Sequence, residues 1–207
     1  IANNTCNQNR YGIYVNEFCL SNELNDNTCN DNELAGIFVA DNSNDQTLNR
    51  NSCKDNYNGI EISSDSNSIY SNTCEANTAA GILFDEGSKG NQIEANTCSE
   101  NLHGIYMSNT GSNNLLSNVC SSNLGKGIAL YTATTSTLAD NQCKLNLEEG
   151  IYVGSFQDKS TNIIIQENDL ENNSYGLILV ESDHCIVNDN RFYSNINDGM
   201  VLSHSAT

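Results

Sequence analysis

Residues 93–107 read Ile-Glu-Ala-Asn-Thr-Cys-Ser-Glu-Asn-Leu-His-Gly-Ile-Tyr-Met, and variants of this stretch recur nine times along the chain. In each copy an aliphatic residue stands three positions before an Asn, and a second Asn stands five positions after the first. A Gly follows eight or nine positions after the first Asn and begins a Gly-apolar-x-apolar segment. Successive copies are offset by 21–27 residues, a period typical of repeat proteins.

Two Asn columns define the repeat and hold 18 of the 37 Asn residues of the chain. The first column consists of Asn4, Asn27, Asn51, Asn72, Asn96, Asn118, Asn141, Asn168 and Asn190. The second column consists of Asn9, Asn32, Asn56, Asn77, Asn101, Asn123, Asn146, Asn173 and Asn195. The regular spacing of these residues argues against disorder, although a polar, acidic chain without it would favour disorder.

The repeat converts directly into geometry. The Gly-apolar-x-apolar segment has a period of two, which predicts a short strand with both apolar side chains on one face. The aliphatic column and a Cys column each mark another short strand. We therefore predict an all-β parallel β-helix of about nine coils, each with three short strands, in which stacked coils bury what one coil alone exposes.

The Asn and Gly columns are expected at the corners between strands. Asn tolerates a left-handed backbone and bonds neighbouring backbone groups, and stacked Asn side chains can bond from coil to coil. Gly is expected where the corner needs a positive φ. The alternative is a leucine-rich repeat, whose period overlaps, but the other half of this unit is rich in Asn, Ser, Gly and Asp, which are poor helix formers.

Charge excludes several partners. The 207 residues include 26 Asp and Glu against 8 Lys and Arg, for a net charge of −18. Nucleic acids and anionic membrane surfaces need a basic footprint, so neither is expected as a partner. No apolar run approaches the length of a membrane-spanning helix, so membrane insertion is not expected either.

Seven of the nine Cys occupy one column of the repeat, two residues after the first Asn. Since the same column later holds Leu170 and Phe192, we expect a structural ladder of thiols packed in the core rather than a metal site. A disulfide somewhere in the chain and a soft-metal site remain alternatives. The ladder consists of Cys6, Cys29, Cys53, Cys74, Cys98, Cys120 and Cys143.

This pattern resembles the parallel β-helix repeats of the NosD-like and the carbohydrate-binding and sugar hydrolase families, especially the Asn-Thr-Cys-rich versions of methanogenic archaeal surface proteins. The resemblance covers residues 1–207 and implies a right-handed coil and an extracellular or cell-surface location. Because both ends begin or stop within a coil and lack a polar cap, we expect a single domain that is part of a longer protein or that associates end to end.

The variable residue of the Gly-apolar-x-apolar segment points outward and is apolar or aromatic in eight of nine repeats. These side chains are expected to form a stripe that binds a polysaccharide or another cell-surface protein. The alternative is that the aromatic residues only stabilise the sheet by packing from coil to coil. The proposed contact residues are Tyr14, Phe38, Tyr106 and Tyr152.

The favoured reading is a non-catalytic rod, adhesion or polysaccharide-binding module without a cofactor. The alternative is a polysaccharide lyase or C5-epimerase that uses an outward carboxylate cluster on adjacent coils, made of Glu61, Asp85 and Glu86, with Asp65 nearby. Basic residues are few, and the Asp-Pro-His signature of alginate-type enzymes does not occur because Pro is absent. Weak Ca²⁺ binding by the carboxylates remains open, and inserts after the third strand (85–90 and 154–160) border the stripe.

Overall fold

The computed structural model describes residues 1–155 and 158–203. These residues form 24 short strands, numbered β1 to β24 in chain order, and all of their pairings are parallel. Neighbouring strands in each sheet are about one repeat apart in sequence, so the chain winds as a parallel β-helix. The predicted all-β solenoid of about nine coils with three short strands per coil is confirmed. None of the described residues belongs to a helix that could cross a bilayer.

Sheet 1 collects the Gly-apolar-x-apolar segments of all nine coils and is the longest sheet. Its strands, in sheet order, are β1 (Tyr11–Val15), β3 (Ala35–Val39), β5 (Asn58–Ile62), β8 (Ala80–Phe84), β11 (His103–Ser108), β13 (Ile128–Tyr131), β16 (Glu149–Gly154), β20 (Tyr175–Val180) and β24 (Met200–Ser203). Equivalent residues of successive repeats pair in register, as Tyr14 does with Phe38.

Sheet 2 contains the aliphatic column that precedes the first Asn. Its eight strands are β2 (Glu23–Asn25), β4 (Thr47–Asn49), β6 (Ser68–Tyr70), β9 (Gln92–Glu94), β12 (Asn114–Leu116), β14 (Thr137–Ala139), β18 (Ile164–Gln166) and β22 (Ile186–Asn188). The central residue of each strand points into the coil, and Leu24, Leu48 and Ile69 are fully buried there.

Sheet 3 contains the Cys column. It has two stretches of strand, β7 (Thr73–Glu75) with β10 (Thr97–Ser99), and β15 (Gln142–Lys144) with β19 (Asp169–Glu171) and β23 (Arg191–Tyr193). Single parallel bridges through Val119 join the two stretches, and bridges through Thr28 and Ser52 extend the sheet towards the first coils. A short fourth ladder pairs β17 (Ser160–Thr161) with β21 (Ser182–Asp183).

The core is a continuous column inside the coils. Ile, Leu, Val and Cys side chains from the three sheets meet there, and Phe84 and Met107 are its bulkiest fully buried members outside the repeated Ile and Leu positions. Since each coil buries its apolar side chains against its neighbours above and below, the fold is stabilised by stacking rather than by contacts within one coil.

The Cys column lies in this core with parallel, in-register neighbours, as Cys74 and Cys98 show. All nine Cys residues are free thiols; the six from Cys29 to Cys143 are buried and Cys19 is exposed. Burial raises the pKa of the Cys98 and Cys143 thiols well above the usual range, because the thiolate loses its hydration. These thiols are therefore protonated, apolar fillers of the core.

Both Asn columns form hydrogen-bonded ladders along the inside of two corners. Asn51 Oδ1 accepts from the backbone N–H and from Nδ2 of Asn27, both at 3.0 Å. Its own Nδ2 donates to Asn72 Oδ1 and to the Leu24 carbonyl of the preceding coil. The same pattern in the second column links Asn77 to Asn101. These buried amides are therefore satisfied by each other and by backbone carbonyls of the preceding coil, such as that of Leu24 in β2.

A third ladder, absent from the sequence prediction, occupies the remaining corner. Its members lie two residues before the buried aliphatic residue of sheet 2, and each accepts from the backbone N–H of the previous member. The column was overlooked because Gln46 and Ser136 interrupt its Asn pattern, although its spacing matches that of the other two. The ladder consists of Asn22, Gln46, Asn67, Asn91, Asn113 and Ser136.

Two details of the predicted corners are wrong. The left-handed residue is not the ladder Asn but the residue before it, as in Asp26 at φ 56° before Asn27. The ladder Asn instead uses its side chain to bridge coils, which an ordinary φ permits. The column Gly residues have no positive φ either: a Cβ on Gly81 would lie 2.7 Å from the Gly104 carbonyl oxygen and 2.9 Å from Cys98 Cβ. Close approach of coils, not backbone freedom, requires Gly there.

Candidate functional site

The outer side of sheet 1 carries the densest aromatic surface of the described residues. Three columns supply its side chains. The columns two and four residues after each Gly face outward because side chains alternate along the strand. The column directly before each Gly joins them because Gly and the residue after it both face the core, which interrupts the alternation. The middle column contains the four proposed contact residues in register, from Tyr14 and Phe38 to Tyr106 and Tyr152. We call this surface the aromatic face.

The first aromatic cluster consists of Tyr11, Tyr14 and Phe38. The Tyr14 ring centroid lies 5.1 Å from those of Tyr11 and of Phe38, and Tyr11 lies 5.4 Å from Phe38. The Arg10 guanidinium sits 5.5 Å from the Tyr11 ring centroid. Tyr14 remains 49% exposed, so its ring is open to a ligand.

The second aromatic cluster consists of Tyr106, Tyr131 and Tyr152. The centroid of Tyr131 lies 5.3 Å from that of Tyr106 and 5.0 Å from that of Tyr152, and His103 extends the row at 5.6 Å from Tyr106. Tyr131 bridges the cluster because Ala129, in register between Tyr106 and Tyr152, is too small to do so and is fully buried. All three tyrosines are half-buried.

The four predicted contact residues Tyr14, Phe38, Tyr106 and Tyr152 lie in one register, but they form two clusters rather than the single stripe that the sequence predicts. Glu61 and Leu83 separate them, so Phe38 and Tyr106 are three coil steps apart, or roughly 14 Å. Tyr11 and Tyr131 were missed because only the middle column was considered. The period of two places Tyr131, four residues after Gly127, on the outer face, but it does not do so for Tyr11, which directly precedes Gly12.

Lys126 is the cation of the second cluster. Its Nζ lies 5.3 Å from the Tyr152 ring centroid, within reach of a cation–π interaction, and its side chain is 14% exposed. Glu149 lies 3.2 Å from this Nζ and Glu148 also contacts it. Burial acts to lower the pKa of Lys126, but the two carboxylates outweigh burial and raise it. The charge of Lys126 is therefore kept and already compensated.

His103 and Tyr131 are both neutral at pH 7. Burial lowers the pKa of His103, and the nearby Lys126 charge lowers it further. Nδ1 of His103 accepts the Lys126 backbone N–H at 3.1 Å, a bond that only the unprotonated nitrogen can accept. Burial raises the pKa of Tyr131 to about 12. The cluster thus presents uncharged rings to a ligand.

Two of the predicted catalytic carboxylates lie between the aromatic clusters. Burial raises the pKa of Glu61, although Asn58 Nδ2 donates to its carboxylate at 2.9 Å, and the negative charge of Asp85 raises it further. Asp85 accepts from Ser63 Oγ at 2.7 Å. Neither carboxylate forms an ion pair with a cation among the described residues. Glu61 and Asp85 are therefore brought together without a basic partner.

Glu86, the third predicted catalytic residue, faces elsewhere. Asn109 Nδ2 donates to it at 2.9 Å, and it lines an open depression of about 300 Å³ beside Asp41 and Asp65. A larger depression of about 550 Å³ contains Arg10, Asp31 and Asp55. No three His, Cys, Asp or Glu side chains of residues 1–155 and 158–203 converge on a position that would hold a metal ion.

The sequence predicts two loop inserts beside the aromatic residues of sheet 1. The insert at 85–90 contains Glu86 and turns through Gly87 and Gly90, which both have a positive φ. The insert at 154–160 contains Phe156 and Gln157, which lie outside the described residues. The described part of this second insert begins at Gly154, the last residue of β16 on the aromatic face, and Ser160 Oγ donates to the Gly154 carbonyl.

Solved structures of polysaccharide-modifying enzymes share this fold. The A-module of the mannuronan C-5 epimerase AlgE4 of Azotobacter vinelandii superimposes with a TM-score of 0.81 at 20% identity, covering 91% of this chain and 58% of that one. The periplasmic alginate epimerase AlgG gives 0.76 at 23% identity, covering 92% and 47%. The A-module of AlgE6 gives 0.76 at 18% identity, covering 91% and 59%. This chain thus spans about half the length of these enzymes, and at such identities the likeness is one of fold.

No curated protein matches the sequence. A family model does: the one described as right handed beta helix region matches residues 36–192. That range contains most members of the three ladders and the whole second aromatic cluster, and it fixes the hand of the coil that the sequence resemblance implied. The chain belongs to the right-handed β-helix family.

Proposed function

We propose that this protein is a non-catalytic polysaccharide-binding module, and that its aromatic face holds the sugar chain. The main support is the row of half-buried rings formed by Tyr106, Tyr131 and Tyr152, in which the centroids of neighbouring rings lie 5.0–5.3 Å apart. Sugar rings present apolar C–H faces that stack on aromatic side chains, while their hydroxyl groups need polar partners at the rim. The first cluster provides a second such platform farther along the same sheet.

The coil-to-coil packing of these rings also stabilises sheet 1, but stabilisation does not require them to remain open to solvent. Tyr14 is 49% exposed, at a position where a β-branched residue would serve the sheet equally well. Exposed aromatic residues grouped on one face typically mark an interaction surface. A location outside the cytoplasm, implied by the NosD-like resemblance and suited to extracellular polysaccharides, belongs to the same proposal, as do the rod and adhesion roles.

The test is binding to a panel of soluble polysaccharides, measured by affinity electrophoresis and calorimetry. Replacement Tyr131→Ala or Tyr152→Ala should weaken binding about tenfold or more, as the loss of a central aromatic anchor does. Tyr70→Ala is the matched control, because Tyr70 is an exposed tyrosine on sheet 2. Circular dichroism must show that each variant keeps the β-helix. Unchanged binding by both sheet 1 variants, or no binding by the parent protein, would refute the proposal.

The second candidate function is a carbohydrate-active enzyme of the lyase or C5-epimerase type. Glu61 favours it, because a half-buried carboxyl with a raised pKa beside Asp85 is suited to proton transfer. Against it stands the lack of a basic partner for either carboxylate within the described residues. Incubation of the same panel should be followed by ultraviolet absorbance for unsaturated products and by NMR for deuterium uptake at C5. Product that disappears in Glu61→Gln would favour the enzyme.

A further inference from the structure

We infer that the aromatic face takes an uncharged polysaccharide and discriminates against polyuronates. This inference rests on the proposed function and deepens it by naming the class of ligand. It departs from the fold neighbours, which are epimerases of mannuronan and alginate, because the charges of this chain do not suit an anionic polymer.

Few cations of this chain are available to an anionic ligand. All eight Lys and Arg lie within the described residues, and six form ion pairs with carboxylates: Arg50, Lys54, Lys126, Lys144, Lys159 and Arg191. A uronate carboxylate approaching any of these would have to displace a carboxylate that the protein itself supplies. Such replacement gives little net binding energy, since the existing pair is lost.

The two remaining cations do not make a uronate site. Arg10 lies beside the first cluster, but the depression it borders also contains the carboxylates of Asp31, Glu33 and Asp55. Lys89 lies in the insert between β8 and β9, where its backbone N–H donates to the Asp65 carboxylate at 2.7 Å. The cations nearest the rings are thus outnumbered or compensated.

The space between the clusters also disfavours an anionic chain. A chain that reaches from Phe38 to Tyr106 must pass Glu61 and Leu83, with Asp85 in the adjoining outward column. Burial raises the pKa of Glu61, and the negative charge of Asp85 adds a smaller contribution in the same direction. A third carboxylate placed there would meet two like charges in a half-buried setting, where water screens weakly. A net charge of −18 adds longer-range repulsion.

The same groups suit neutral sugars. Hydroxyl groups can donate hydrogen bonds to the Glu61 and Asp85 carboxylates, which in their ionised form accept but do not donate, and such charge-assisted bonds are the stronger kind. The rings on either side offer apolar faces to the sugar C–H groups. One surface therefore combines attraction for an uncharged chain with repulsion of an anionic one, which is how specificity is commonly built.

The test compares water-soluble polymers that differ in charge: uncharged glucans, mannans and galactans, the polyuronates alginate and polygalacturonate, and the polyamine chitosan. At low salt, at least one uncharged polymer should bind ten times or more as tightly as either polyuronate, and the ratio should shrink as salt screens the repulsion. In the double variant Glu61→Gln/Asp85→Asn, affinity for polyuronate should rise several-fold. Tyr131→Ala serves to show that binding is at the aromatic face.

Polyuronate binding as tight as that of the best uncharged polymer at low salt would overturn the inference and leave the proposed function standing. Chitosan binding that persists at high salt and is lost in Tyr131→Ala would assign the face to amino sugars instead and would also overturn it. Failure of every polymer to bind would overturn the proposed function, and the inference with it. The three failures are therefore distinguishable.

Discussion

Asn96 and Asn118 are joined by two hydrogen bonds to a single oxygen: Asn118 Oδ1 accepts from the Asn96 backbone N–H and from Asn96 Nδ2, both at 3.0 Å. The bonding is continuous, since Asn96 Oδ1 serves the equivalent groups of Asn72. Both residues are fully buried. Burial of an Asn side chain ordinarily costs free energy, but here its amide satisfies the hydrogen bonds of backbone groups at a corner.

Replacement of Asn96 by Ala should destabilise the protein by about 3 kcal/mol. Four side-chain bonds are lost, including the one to the Ile69 carbonyl, and the buried Asn72 N–H is left without an acceptor. Urea unfolding followed by circular dichroism measures the change. Asn114→Ala is the control: its amide makes one bond, to Gln92 on the outer face of sheet 2, and should cost less than about 0.5 kcal/mol. Equal effects of the two variants would contradict the ladder's role.

Gly81→Ala and Gly87→Ala should separate crowding from backbone strain. The new Cβ at position 81 would meet the Gly104 carbonyl oxygen and Cys98 Cβ at under 3 Å, so coils must move apart, at a cost of about 3 kcal/mol. Position 87 has open space but a φ of +95°, and its substitution should cost about 1 kcal/mol. Thermal unfolding of both variants tests the ranking. The opposite order would show that backbone freedom matters more than coil spacing.

Thiol labelling should report the core directly. A small alkylating reagent applied to the native protein should modify Cys19 first, then slowly Cys6 and Cys185, and leave the six buried thiols untouched. The same reagent in denaturant should modify all nine. Mass spectrometry of peptides measures the pattern, with Cys19→Ser as the control for the fast site. Labelling of only one or two residues after denaturation would mean that the other Cys residues are oxidised.

Acidification should weaken the second cluster through His103. Its folded-state pKa is lowered, so between that value and the unfolded value of about 6.5 the unfolded chain binds more protons and stability falls as pH falls. The protonated ring would also lose its acceptor role towards the Lys126 N–H. The pH dependence of the free energy of unfolding should therefore be steeper from pH 7 to 5 for the native protein than for His103→Gln. Parallel curves would mean that His103 does not contribute.

Chain length should matter if the polysaccharide lies along the rod. The clusters are three coil steps apart, roughly 14 Å from Phe38 to Tyr106, so short oligosaccharides reach only one of them. Affinity should rise by a distinct step once the oligosaccharide spans both, because the second contact is then intramolecular. Phe38→Ala should remove the step and leave the binding of short oligosaccharides to the second cluster intact. A smooth rise with length in both proteins would argue against the two-cluster arrangement.

The repeat made most of the fold predictable. Columns such as Cys53–Cys74–Cys98 and Ile60–Ile82–Ile105 keep the same place within each repeat, so the side to which they face and their register followed from the repeat alone. The corners were less predictable, since one residue supplies the left-handed backbone and its neighbour supplies the bridging amide. Asp26 and Asn27 show this division. The third ladder escaped because Gln46 and Ser136 perform the same bonding with different side chains.

The sequence predicts which side of sheet 1 carries the candidate site, but not how its aromatic residues divide into clusters. Tyr14 and Tyr152 were expected to point outward, and they do. Their division into two clusters depends on Glu61, which interrupts the aromatic column, and on Tyr131, which leans across from the next column to fill the place above Ala129. Side-chain packing decides which ring fills the space beside a small residue, and the repeat pattern of the sequence does not contain that information.

The Asn ladders give the rod a direction. In each ladder the amide oxygen accepts only from the coil before it, as Asn51 accepts from Asn27 and Asn72 accepts from Asn51. The two faces of a coil are therefore chemically different at the ladders: the side-chain oxygen faces the start of the chain, and the backbone N–H and one amide N–H of each Asn face its end. The solenoid therefore has a polarity along its axis. A further coil, or a second rod, can continue the ladders with the same bonds only if it stacks head to tail.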